Sequence, residues 1–259
     1  MTRHHDGFAL DAWTPSPRHL LRVGCLADVT ADWPPGDVYE VGAGTGDVTS
    51  RFVARGFKMT AYDLGEHSRD VLRRRFGPDV TVIDDPEHLG GARFDYLFAF
   101  EVLEHIADDR GALLGWLQHL RPGGRVLFSV PAHQRKYSDA DRAVGHVRRY
   151  ERGELEALLT GAGLIDVELH NYGFPLGNAL RYTQNAVRTA TGNRATTADE
   201  EDDRIARGVE SGVSTASPLN RLRKLSTPAL LRPFATVQRV AYGRDWSDGY
   251  VATAVRPPS

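Results

Sequence analysis

The chain is 259 residues long, carries a formal charge of -2, and has one cysteine, Cys25. That length holds one α/β domain with its own core, the near-balanced charge gives no global attraction to nucleic acid, and a lone cysteine excludes an intrachain disulfide. Residues 1–8 are polar and lack a secretory apolar run, and no stretch reaches the length of a membrane span, so a cytoplasmic protein acting on a small molecule is expected.

Leu20, Leu21, Val23, Leu26 and Val29 recur at helical spacing, which predicts a helix over 17–31, started by Pro15 and Ser16 and stopped by Pro34-Pro35-Gly36. The run Val38-Tyr39-Glu40-Val41 then reads as a strand, followed by glycines at alternate positions, Gly42, Gly44 and Gly46, and a helix over 48–55 ended by Gly56. A glycine turn between strand and helix lets a ligand approach the backbone closely. Glu40, two residues ahead of the first glycine, repels a diphosphate and favours a cationic ligand.

Alternation continues with a strand at 58–62 ending in Asp63, a helix over 69–76, a strand at 80–83 ending in Asp84-Asp85, and a strand at 94–100. A helix over 110–120 leads into Arg121-Pro122-Gly123-Gly124, a type II turn by composition, and a strand at 125–130 closed by Pro131. Residues 132–150 are polar and aperiodic. A helix at 151–159, terminators Gly161 and Gly163, and a strand at 164–169 follow. Within 173–243 the alternation gives way to helical patterns at 176–190 and 219–242 around an acidic stretch at 199–203. Residues 249–255 alternate like a strand returning to the sheet edge, antiparallel to its neighbour.

Four segments carry a resemblance: Glu40-Val41-Gly42-Ala43-Gly44-Thr45-Gly46, Tyr62-Asp63-Leu64, Asp85, and Glu101-Val102-Leu103-Glu104-His105-Ile106 with the later Leu120-Arg121-Pro122-Gly123-Gly124. In this order and spacing they resemble class I S-adenosylmethionine-dependent methyltransferases over about residues 36–170, most closely the small-molecule branch. Gly145-His146-Val147-Arg148-Arg149-Tyr150 also looks like a feature of one bacterial subgroup. The resemblance implies a Rossmann-like α/β fold, a seven-stranded mostly parallel sheet with helices on both faces and its last strand antiparallel. A single domain is expected, with an N-terminal helical segment (1–35), a cofactor-binding core (36–172), a helical cap inserted before the last strand (173–243), and that strand with its tail (244–259).

By the same resemblance, Glu40, Gly42, Ala43, Gly44 and Gly46 surround the methionine part of S-adenosylmethionine. Asp63 accepts from the ribose hydroxyls with Leu64 beside it, Asp85 reaches the adenine amino group, and Phe100 and Glu101 line the sulfonium pocket. Asp63 also lies at a strand end near the spacing expected of a ribose carboxylate. The plainer alternatives are a dinucleotide on the glycine turn, and Asp63 and Asp85 as helix caps.

Methyl transfer is an in-line displacement that leaves S-adenosylhomocysteine, and the protein's work is alignment and exclusion of water. A hydroxyl or amine acceptor also loses a proton, for which His105, just beyond the fourth strand, is the first candidate base and His146 and His133 the second. The alternative for His105 is a structural pairing.

Glu101, Glu104 and His105 stand at i, i+3 and i+4, which in a helix puts them on one face. A similar Glu-x-x-Glu-His set binds metal in small-RNA 2′-O-methyltransferases and ubiquinone O-methyltransferases, with His146 placed to supply a further ligand in the manner of the former, but these carboxylates suit capping or pairing with Arg148 or Arg149 equally well. No metal is assigned. Arg142, His146, Arg148 and Arg149 suit an anionic substrate, with Arg149 and Tyr150 as its contacts, unless Asp139, Asp141, Glu151 and Glu154 neutralise them. The segment 173–243 is expected to cap the pocket, with a dimer interface or a basic amphipathic membrane-surface face (Leu219, Leu222, Leu225, Leu230 and Leu231 with Arg221, Arg223, Lys224 and Arg232) as alternatives. The expected function is methyl transfer to oxygen or nitrogen of a small metabolite. Metal-assisted 2′-O-methylation of RNA and a cofactor-binding module without turnover are the rivals.

Overall fold

A computed structural model describes residues 15–178 and 228–258, the side chains of 228–232 excepted. Seven strands form one sheet: β1 (Asp37–Val41), β2 (Lys58–Tyr62), β3 (Val80–Ile83), β4 (Phe94–Phe100), β5 (Leu120–Pro131), β6 (Ile165–Tyr172) and β7 (Gly249–Val255). Their order is β3-β2-β1-β4-β5-β7-β6. The β1–β2, β1–β4, β2–β3 and β4–β5 pairs are parallel, and β7 runs antiparallel to both its neighbours.

Among the described residues the helices are α1 (Pro17–Val29), α2 (Asp47–Val53), α3 (Glu66–Phe76), α4 (Asp109–Leu117), α5 (Asp139–Ala143), α6 (Arg152–Gly161) and α7 (Pro228–Ala241). Strand alternation sends neighbouring side chains to opposite faces. Val38, Phe98 and Leu127 pack with Leu26 of α1, Phe52 of α2 and Leu72 of α3. Tyr39, Leu97 and Val126 pack with Leu113 of α4 and Leu155 and Leu159 of α6. Helices therefore cover both faces. Among the described residues no helix is long and apolar enough to cross a membrane.

Strands β2, β3, β4 and β7 have the expected bounds, but the place of β7 does not. It lies inside the sheet, and β6 forms the edge. The reason is burial: Tyr250, Val251, Ala252 and Ala254 are all at most 1% exposed, as an interior strand requires, while β6 carries exposed Ile165, Asp166 and Glu168. A second correction concerns α4, which ends at Leu117, so that Leu120 already belongs to β5. The Pro-Gly-Gly segment is absorbed into β5 as a register irregularity opposite Phe94 and Tyr96, with Gly123 at φ 75° donating to the Arg256 carbonyl at 2.9 Å.

α3 begins earlier than expected, at Glu66, and β6 runs on to Tyr172. The polar loop after β5 contains the five-residue α5, whose start is a reciprocal cap between Ser138 and Asp141. α7 is the described end of the expected cap. It lies against α1: Gln238 Nε2 donates to the Leu21 carbonyl at 2.9 Å, and Arg239 and the Tyr242 hydroxyl donate to Asp28. Residues 179–227, with most of the expected cap, the acidic stretch and all of the leucine-rich basic face but Leu230, Leu231 and Arg232, lie outside the described residues, as do residues 1–14 and the side chains of those three.

Candidate active site

In an open α/β sheet a crevice forms beyond the strand ends where the order of connection reverses. Here that point lies between β1 and β4, whose successors run to opposite sides. The turn after β1 lines it, with Gly42, Gly44 and Gly46 at φ 71°, 55° and 77°. The three glycines answer different demands. A Cβ on Gly42 would collide with Val102, and one on Gly46 would lie 2.5 Å from Phe76 and 2.7 Å from Leu72, whereas one on Gly44 would meet nothing within 4 Å. Gly44 faces open space, as a ligand-facing position must.

The turn is tied to β2. Gly42 and Ala43 donate to the Tyr62 carbonyl at 2.8 and 3.2 Å, and Asp63 accepts from the Gly44 amide at 2.8 Å and the Gly65 amide at 3.0 Å. Asp63 is buried, while its neighbour Leu64 is 57% exposed, an apolar surface on the rim. Asp85 is exposed and accepts from the Glu87 amide at 2.8 Å, so it caps the turn that follows. Capping leaves its second oxygen for a ligand. Asp84 is held by Arg69 and Arg73 at 3.2 and 2.6 Å.

Two acids flank the turn. Glu40 is 1% exposed and accepts from Thr49 Oγ1 at 2.7 Å; burial pushes its carboxyl up to about 7. Glu101 follows Phe100, which is buried at the end of β4, and adopts φ 57°, rare for a glutamate. It accepts from Arg18 at 2.9 Å, the Tyr172 hydroxyl at 3.0 Å and Ser129 Oγ at 3.2 Å, with Arg22 at 3.5 Å. Burial opposes its ionisation, but Arg18 and then Arg22 hold it down at about 2.

Glu101 therefore does not share a helix face with Glu104 and His105. Only a single 3₁₀ turn forms, over Leu103–His105, and Glu101 precedes it, turned toward α1. The turn instead meets the loop after β5. His105 and His146 rings stand edge to face with centroids 4.7 Å apart, and His146 Nε2 lies 3.7 Å from Glu104 Oε1. Donor atoms of Glu104, His105 and His146 all lie within 4.8 Å of one another, so these three suit a divalent cation and Glu101 takes no part.

Both oxygens of Glu104, itself 0% exposed, and Nδ1 of His105 are buried without a hydrogen-bond partner. Burial, then Glu101, drives the Glu104 carboxyl well above its ordinary range; burial, then His146, holds the His105 imidazole near 4. At neutral pH His105 is thus uncharged with a vacant nitrogen lone pair. His146 Nδ1 bonds Asp141 at 3.1 Å, which turns Nε2 toward Glu104.

The remaining expected residues lie elsewhere. Arg149 is 6% exposed and is taken up by Asp141 at 2.8 Å and Asp248 at 3.1 Å. Tyr150 is 3% exposed in the core, its hydroxyl donating to Asp109 at 2.7 Å. Arg142 pairs with Asp139 at 2.5 Å and Arg148 with Asp109 of α4 at 2.8 Å, so the basic cluster is neutralised by acids of its own loop, of α4 and of the segment before β7. His133 belongs to a separate group, buried at φ 65° between Glu151 at 3.3 Å and Asp245 at 3.7 Å.

Sequence reading missed Arg18, His19 and Arg22, which α1 lays over the strand ends. Their i, i+1, i+4 spacing on an otherwise amphipathic helix was the available signal.

A family model described as a methyltransferase domain matches residues 20–169. A ubiquinone biosynthesis O-methyltransferase of Idiomarina loihiensis is 28% identical over 132 residues, 46% of this chain and 54% of that protein. The chain thus spans about half the length of that relative. An S-adenosyl-L-methionine-dependent Diels-Alderase of a Neonectria species is 27% identical over 186 residues, 64% of this chain and 75% of its own. Among solved structures, a Burkholderia thailandensis 1,6-didemethyltoxoflavin N1-methyltransferase shares the fold at a TM-score of 0.50 and 19% identity, covering 92% of this chain and 78% of that one.

Proposed function

The chain belongs to the methyltransferase-domain family, whose model spans more than half of it, and from that premise we propose that it moves a methyl group from S-adenosylmethionine to oxygen or nitrogen of a small metabolite. The observation that carries this reading is the open, Cβ-free face of Gly44 beside two acids, the buried Glu40 and the part-buried Glu101. A diphosphate at this place would meet carboxylates, whereas a sulfonium finds them favourable.

When bound, the donor supplies an electrophilic methyl carbon on a positive sulfur. The turn residues Gly42, Ala43, Gly44 and Gly46 admit its methionine arm, and Asp63 faces the ribose hydroxyls. Leu64 covers the adenine, Asp85 reaches its amino group, and Phe100 walls the sulfonium. The crevice would hold the acceptor's lone pair in line with that methyl carbon and its sulfur leaving group and keep water out. His105 Nδ1 takes the acceptor's proton, supported by the free nitrogen and neutral state described above. Low basicity limits His105 as a base for a distant proton, so the acceptor must lie within direct hydrogen-bond reach.

Calorimetry with S-adenosylmethionine, S-adenosylhomocysteine and NAD, followed by S-adenosylhomocysteine formation over a panel of small hydroxyl and amine acceptors, tests the reading. Tight binding of the adenosyl ligands with turnover on one acceptor supports it; uptake of NAD alone overturns it. Binding without any S-adenosylhomocysteine formed favours a use of the donor without transfer.

The cluster of Glu104, His105 and His146 supports a second reading, metal-assisted transfer, in which His105 is a ligand rather than a base. Loss of turnover on chelation, with recovery on adding Mg²⁺, Mn²⁺ or Zn²⁺, favours it over the first.

A further inference from the structure

Of the motif Gly145-His146-Val147-Arg148-Arg149-Tyr150, the readings above use only the histidine. The rest of the motif fixes where that ring stands. Gly145, at φ 83°, lets the chain turn back after α5. Val147 donates its amide to the Glu104 carbonyl at 2.8 Å, and Arg148 and Tyr150 both donate to Asp109 of α4, at 2.8 and 2.7 Å. The loop is thereby docked on the 3₁₀ turn that carries Glu104 and His105.

The ring itself is held by Asp141, which is 2% exposed. Its two oxygens have separate tasks. Oδ2 accepts from the Ser138 amide at 2.8 Å and Ser138 Oγ at 3.0 Å, which caps α5, while Oδ1 accepts from Arg149 Nε at 2.8 Å and meets His146 Nδ1 at 3.1 Å. A carboxylate already surrounded by these donors only accepts, so His146 Nδ1 carries the proton and Nε2 the lone pair. Arg149 is fixed in turn by Asp248 at 3.1 Å and the Ala132 carbonyl at 3.2 Å. The main chain is pinned as well: His146 donates its amide to the Asp141 carbonyl at 3.0 Å, and its own carbonyl accepts from the Tyr137 hydroxyl at 2.7 Å. Capping a five-residue helix requires neither a buried aspartate nor a buried arginine behind it.

We propose that Asp141 is the positioning residue of the acceptor side: it holds His146 as the Nδ1–H tautomer with the Nε2 lone pair toward Glu104, and Arg149 with Asp248 keeps Asp141 in place. The proposal rests on the transfer reading for its effect on rate, and on the hydrogen bonds alone for its geometry. It serves both forms of that reading, because a base and a metal ligand each need the lone pair on Nε2. It also gives the buried Arg149 a task that contact with a substrate does not.

Long-range proton–nitrogen NMR of histidine-labelled protein, in mildly alkaline buffer, reads the tautomer of His146, whose signals are assigned by their loss in His146→Gln. Turnover is followed as S-adenosylhomocysteine formation on the acceptor found by the panel above. Wild type is expected to show the Nδ1–H form. Asp141→Ala should give mixed tautomers and lower kcat about 10- to 100-fold, the range for partners that orient a histidine from behind, with S-adenosylhomocysteine affinity within about twofold. Asp141→Asn, whose amide oxygen still accepts, should recover part of both the Nδ1–H signal and the rate. Ser138→Ala, which removes a cap contact and nothing from the ring, should lower the thermal midpoint and change neither tautomer nor kcat. A wild type in the Nε2–H form overturns the proposal whether or not any variant folds, and so does Asp141→Ala with a changed tautomer at unchanged kcat. A wild type that forms no S-adenosylhomocysteine with any acceptor overturns the transfer reading, and the rate effect with it. The histidine spectrum, which needs no turnover, tells the two failures apart.

Discussion

On the β1–β2 side of the crevice the ligand-facing surface is mainly main chain, held open at Gly44 and tied down by Asp63. On the β4–β5 side it is the His105–His146 pair beside buried Glu104, braced through Asp141 by Arg149 and Asp248. The first is specified by backbone conformation at the turn, with Asp63 tying it down and Val102, Leu72 and Phe76 packed around it. The second takes several charges out of water, which is tolerable only when each finds its partner from another element. A surface of the first kind suits a ligand common to many enzymes, and one of the second kind suits a particular acceptor.

The sharpest way to break this division is His105→Ala. Turnover is expected to fall about 10²- to 10⁴-fold, as for loss of a general base, while S-adenosylhomocysteine affinity changes less than twofold by calorimetry. Unchanged turnover would move the proton to His146 or to no side chain at all. On the opposite side, Asp63→Ala should weaken the cofactor about 10- to 100-fold with the fold retained by circular dichroism. Unchanged affinity would leave Asp63 a brace for the glycine turn and nothing more.

Within the backbone surface the glycines should also part company. Gly46→Ala puts a methyl against Phe76 and Leu72 at a positive φ and should lower stability by about 3 kcal/mol in urea. Gly44→Ala carries only the backbone strain, about 1 kcal/mol, and should instead show its effect in cofactor affinity. Equal destabilisation by the two would remove the distinction between packing glycine and ligand-facing glycine.

The mildest test is pH. Free Glu40, raised to about 7 by burial, stabilises the fold fully at acid pH, and its contribution is lost as pH rises through about 7. A cationic ligand favours the ionised form, so cofactor affinity should climb several-fold as pH rises to about 7 and level off above it, and Glu40→Gln should flatten that climb. A slope of the opposite sign would mean that Glu40 does not face the cation.

The same contrast explains what could be read from residues alone. β2, β3 and β4 were legible to their bounds because each is a short apolar run with turn residues at its ends. β5 was not, because the Pro-Gly-Gly segment that looks like a turn takes its partners from Arg256, far along the chain. The glycine turn and Asp63 are local and were visible. Glu101 was expected on a helix with Glu104, but its partner Arg18 stands 83 residues away, and that pairing cannot be seen in a spacing. Arg149 and Tyr150 were read as substrate contacts from residue type, although Asp141, Asp248 and Asp109 engage both.

The position of β7 bears on how the molecule comes into being. Ribosomal synthesis delivers β6 long before the strand that joins it to β5, so until residues 249–255 emerge the nascent sheet has a gap between its fifth and sixth strands. Two open edges then wait for one ribbon. A premature stop just ahead of that ribbon would leave β6 and the tyrosine that holds Glu101 without a seat, and so disable the crevice from a distance.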